Sequence, residues 1–108
     1  MKKFDPSYVL LKDMYEDSYF PVFMVDKVKD LILPVIELLE NGENDVTVIQ
    51  NSLDVMTVGI NDLCEEFEEN DSEIETVARD SIAQTVMDIL AWYHIEIDIE
   101  DALAQREW

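Results

Sequence analysis

Seven apolar residues, Val46, Ile49, Leu53, Met56, Ile60, Leu63 and Phe67, follow one another at alternating steps of three and four. That is the rhythm of an α-helix with one buried side, and a strand, whose faces alternate at every residue, cannot use it. The stretch is long enough for about six turns. Asn44 or Asp45 stands where a cap is needed, at the end where the helix dipole also favours an acid.

The same reading extends in both directions. Asp5-Pro6 predicts an N-cap and first-turn proline for a helix over residues 6–16, with Phe4 and Val9 spaced as a hydrophobic staple. A second helix carries Val25, Val28, Ile32, Val35 and Leu39 and stops at Asn41-Gly42. Pro34 in its middle removes the bond to the Asp30 carbonyl, which predicts a kink. Ser72 with Glu75 reads as a capping box for a fourth helix, whose wide apolar face comprises Ile74, Val77, Ala78, Ile82, Val86, Ile89, Leu90 and Tyr93. Ile95 to Ile99 alternates like a strand but has no evident partner, so an extended connector is expected. It leads into a short last helix capped by Asp98, running through Ala102, Leu103 and Ala104 toward Trp108. With only two Gly and three Pro in 108 residues, the chain lacks turn material for a many-stranded sandwich. The expected fold is an all-α bundle in a single domain over 1–108. It has four main helices and a short C-terminal one, with an antiparallel hairpin of the third and fourth at its centre. Hydrophobic residues form 48% of the chain, enough to bury roughly two-thirds of the unfolded surface and unlike a disordered acidic tail.

Charge restricts function. From Asp30 to Ala78 there are fourteen acids and no Lys or Arg, within a net charge of -19. Like charges on a compact surface oppose folding, so a basic partner, bound cations or a very stable core must compensate. Nucleic-acid phosphates and anionic lipids would be repelled, which argues against direct binding to either. Leu31 to Ile36, the longest apolar run, is far too short to span a bilayer, and Met1-Lys2-Lys3-Phe4-Asp5-Pro6 meets an acid and a proline where a signal peptide would turn apolar. The lone Cys64 forms no internal disulfide and suits a reducing compartment; a cytoplasmic protein is expected.

The densest acids, Glu65, Glu66, Glu68, Glu69, Asp71, Glu73 and Glu75, surround one interhelical turn. Their plain reading is a solvated face; the functional one is a partner-binding surface, joined by Tyr19 and Phe20 of the aromatic connector from Tyr15 to Phe23. That connector equally suits a lid over the end of the bundle. Carboxylate pairs such as Glu65 with Glu68 and Asp98 with Asp101 could chelate a divalent cation, as paired acids do in all-helical nucleotide pyrophosphohydrolases. The spacing fits that motif poorly, and no nearby Lys or Arg would hold a triphosphate. No Glu precedes His94 by three residues, so a di-iron bundle fails, and His94 is expected at a helix C-terminus. Cys64 lies beside acids that would raise its pKa, so it reads as a small hydrophobe rather than a nucleophile. Gly59 inside a helix costs about 1 kcal/mol relative to Ala, which a close helix crossing would explain.

Three segments, Met14 to Pro21 with Val25-Asp26-Lys27, Glu65 to Arg79, and Arg106-Glu107-Trp108, resemble an uncharacterised family of small acidic bacterial proteins, a domain of unknown function. The resemblance implies a bacterial intracellular protein with an all-helical fold, and it carries over no catalytic residue. The expected function is a non-enzymatic module presenting an acidic face to a basic protein surface, as inhibitors, immunity proteins and nucleic-acid mimics do, with no cofactor. The alternatives are a divalent-metal-dependent phosphate-ester or nucleotide hydrolase using Glu65, Glu68, Asp98 and Asp101, and a self-associating structural protein, a homo-oligomer.

Overall fold

The computed structural model describes residues 2–108 and contains five helices: α1 Lys12–Glu16, α2 Val22–Glu40, α3 Val46–Glu69, α4 Thr76–Trp92 and α5 Ile99–Ala102. No strand occurs among the described residues, and the all-helical bundle expected from the periodicity is what forms. The buried stripe of α3 comprises Ile49, Leu53, Met56, Ile60 and Phe67, with Leu63 partly covered. Val46, in its first turn, is exposed instead. All five expected core positions of α2 are buried, and the helix continues past Pro34 to Glu40. On α4, Val77 is exposed, whereas Ala78, Ile82, Val86, Ile89 and Leu90 enter the core.

The closest helix pairing is α2 on α3, one connector earlier than the expected central hairpin of α3 and α4. Two contacts show that the pair is antiparallel: Lys27 bonds Glu66, and Leu31 lies over Gly59. A Cβ on Gly59 would stand 2.8 Å from Leu31 Cδ2, so the missing side chain does mark a close helix crossing. Short α1 lies against α4, where the Leu11 N–H donates to Thr85 Oγ1 at 3.2 Å and the Tyr8 hydroxyl to Asp88 Oδ2 at 2.6 Å. The C-terminal segment follows α3: Gln50 Nε2 donates to the Asp101 carbonyl (2.9 Å), Asn61 Nδ2 donates to the Gln105 carbonyl (2.8 Å), and Asn61 Oδ1 accepts the Glu107 N–H (2.9 Å).

Three boundaries differ from expectation for identifiable reasons. The first helix begins at Lys12 rather than Pro6, because Leu11 takes a φ of 57°, which no right-handed helix can pass through. Upstream, the Asp5 carboxylate accepts from the Ser7 N–H and hydroxyl, which holds its pKa below the usual value and makes a turn. Val9 is 56% exposed, so the staple does not form; Phe4 instead meets Tyr8, Trp92 and Tyr93 ring to ring. The fourth helix begins at Thr76 with no side-chain cap, because Ser72 closes α3 instead, its N–H donating to the Phe67 carbonyl at 2.9 Å. The last helix ends at Ala102, short of the expected run, although Asp98 caps it as expected by accepting the Glu100 N–H at 2.9 Å.

The three long helices share one ending. In each, the residue two places past the last helical one has positive φ: Gly42 (90°), Asp71 (58°) and His94 (56°). The N–H one residue further on reaches back to the carbonyls of Leu38, Phe67 and Leu90. These are the six-to-one bonds of the Schellman motif. His94 therefore acts through its backbone conformation at the end of α4.

Candidate protein-interaction surface

The acidic turn is built by the C-terminal end of α3 and the six residues that join it to α4. Closure of α3 through Asp71 turns the chain sharply and leaves Glu65, Glu68, Glu69, Asp71 and Glu73 exposed around one corner. Glu66 is half-buried and paired with Lys27, whereas half-buried Glu75 stands at the N-cap of α4, where its carbonyl accepts the Arg79 N–H. The Lys27–Glu66 pair also brings the start of α2 to this end of the molecule.

The aromatic connector arrives there with its residues divided. The Asp17 carboxylate accepts the Tyr19 N–H at 2.9 Å, and the Tyr19 and Phe20 rings meet edge to face with centroids 5.1 Å apart. Tyr19 is 43% exposed, but Phe20 is 3% exposed and belongs to the core, which corrects its expected place in the surface. Phe23, the second residue of α2, is exposed with Lys27 Nζ 5.9 Å from its ring. Tyr15 is half-buried: its hydroxyl donates to Asp26 Oδ1 at 2.5 Å, and burial first, then that hydrogen bond and the Asp26 charge, raise its pKa.

The four carboxylates of the metal alternative do not converge. Glu65 and Glu68 lie on the last turns of α3, whereas the Asp101 backbone sits against Gln50, fifteen residues earlier on that helix and so about 22 Å away along its axis. The Asp98 carboxylate is engaged by the N–H of Glu100. Among the described residues, no group of three or more His, Cys, Asp or Glu side chains is placed to hold a metal ion. Near Glu68, Cys64 borders a cavity of about 240 Å³ with Glu73, Ile74, Glu107 and Trp108. Burial raises the thiol pKa, and the charges of Glu68 and Glu107 raise it further, so Cys64 is held as a thiol rather than a nucleophile.

A feature absent from the periodicity reading is the groove between α2 and α3, bordered by Leu31, Val55, Val58 and Gly59. Its signal lay in the outward positions of α3, which a reading of the buried face passes over. A family model matches residues 4–108. The chain belongs to DUF5713, a family of unknown function. No curated protein and no solved structure matches it. The matched part of this DUF5713 chain includes the acidic turn, the aromatic connector and the groove.

Proposed function

We propose that this DUF5713 chain is a non-enzymatic protein-binding module whose acidic corner meets a basic surface on another protein, in the manner of an inhibitor, an immunity protein or a nucleic-acid mimic. The observation that carries this reading is the charge left uncompensated. Against 26 acids, the two ion pairs among the described residues use only Glu66 and Glu100. The exposed carboxylates from Glu65 to Glu73 thus present a field for a cationic partner to neutralise. We place the protein in a bacterial cytoplasm, a reducing compartment that suits its single free cysteine, Cys64.

Complementary potentials accelerate encounter and make association sensitive to salt. The test is recovery of a partner from native-host lysate by the wild type and by a Glu68→Lys/Glu69→Lys variant, followed by association rates at two ionic strengths. The reading expects the partner on wild type alone and a rate that falls steeply with salt. Equal recovery by both proteins, or a rate indifferent to salt, overturns it.

A further inference from the structure

The outward side of α3 carries a second three-four series: Val55, Val58, Asp62, Glu65 and Glu69. At about 100° per residue it lies roughly half a turn from the core stripe. The series changes character along its length. Val55 is 73% and Val58 46% exposed, whereas the positions from Asp62 onward are carboxylates. Beside the valines lies a groove of about 540 Å³ lined by Leu31, Gly59, Asp54, Asp62 and Gln105. Gly59 leaves room for Leu31 to reach its floor. An apolar site therefore runs without interruption into the acidic corner.

We propose that this seam binds a basic amphipathic helix of a partner protein, its apolar residues over Val55, Val58 and Leu31 and its Lys or Arg residues over Asp62, Glu65 and Glu69. The inference rests on the acidic-corner reading and adds the partner's shape and direction. Charge selects this occupant over a second copy of the chain. Two molecules each carrying -19 repel, and their stripes align only with acids on acids or with valines on acids. From Val55 to Glu69 the stripe measures about 21 Å, the length of a fourteen-residue helix, which would engage it through anchors at three- and four-residue spacing.

The probe is a synthetic helical peptide of about sixteen residues, with leucines on one face of its first half and lysines on the same face of its second. A peptide of equal composition with scrambled order is its control. Binding to the full chain is read by fluorescence anisotropy. The wild type is expected to prefer the ordered peptide by about tenfold, and Val55→Gln/Val58→Gln, at exposed positions that keep a good helix former, to lose about that factor. Glu65→Lys/Glu69→Lys is expected to abolish binding. If charge reversal abolishes binding while the glutamine variant binds normally, the groove is overturned and the acidic corner stands. If charge reversal changes nothing, both are overturned. A dimer in sedimentation equilibrium that the peptide dissociates assigns the groove to a second copy and overturns the proposal.

Discussion

Gly42, Asp71 and His94 hold the same place at the ends of three helices, but only glycine adopts positive φ without a steric penalty. Gly42→Ala should therefore lower stability by about 1 kcal/mol, whereas Asp71→Gly and His94→Gly should each raise it by about 0.5 kcal/mol, the relief of strain being partly offset by the greater freedom of glycine in the unfolded chain. Urea midpoints at unchanged slope measure both signs. The glycine was legible in the sequence as a helix stop; the histidine was expected at a helix end but for its charge. Asp71 was read only as part of an acidic turn, because an L-residue in a left-handed conformation leaves no mark of its own in one sequence. Ser72 is the counterpart error: a good capping box on paper, used instead to close the preceding helix, with its hydroxyl buried and without a partner.

For whole elements, the periodicity located the buried faces of α2, α3 and α4 because burial repeats with the helix. It did not identify their neighbours, since a stripe records that a face is covered and not by what; hence the closest pairing proved to be α2 with α3. Polar clamps between elements were equally invisible. Asn61 is the clearest of these, bonding the C-terminal segment as both donor and acceptor. Asn61→Ala removes both bonds, each worth about 1 kcal/mol, and should speed hydrogen exchange of the Glu107 amide by about tenfold or more. Amides in the middle of α2, such as that of Ile32, should be unaffected, and a uniform loss of protection would mean that Asn61 supports the whole fold instead.

Across the whole molecule, charge dominates the response to solvent. The acidic corner was legible because seven carboxylates fall within eleven residues, from Glu65 to Glu75; the groove beside it was not, because valines on an outer face look like spare core residues. With so few acids paired, raising salt from about 0.02 to 0.5 M should raise Tm by several degrees, since exposed charges are screened beyond about 10 Å already at 0.1 M. A flat Tm would show the carboxylates too dispersed to oppose folding. Alkali should act in the opposite direction through the tyrosines. Burial first, and then the hydrogen bond to Asp88, pushes the Tyr8 pKa up to about 12, and burial also raises those of Tyr15 and Tyr93. A raised phenol pKa means that the folded state prefers the neutral hydroxyl, so this contribution is fully present below the unfolded value near 10 and is lost as pH rises through the folded value near 12. Within that window the Tyr8 hydroxyl ceases to donate to Asp88, and a phenolate faces a carboxylate where the N-terminal segment meets α4. Urea midpoints should therefore hold steady from pH 8 to 10 and fall between 10 and 12. Tyr8→Phe should start from a lower midpoint at pH 8 and show a shallower fall, because Asp88, still bonded by Gln84, no longer meets a new charge. An identical alkaline slope in that variant would remove Tyr8 from the account and leave Tyr15 as the group to test.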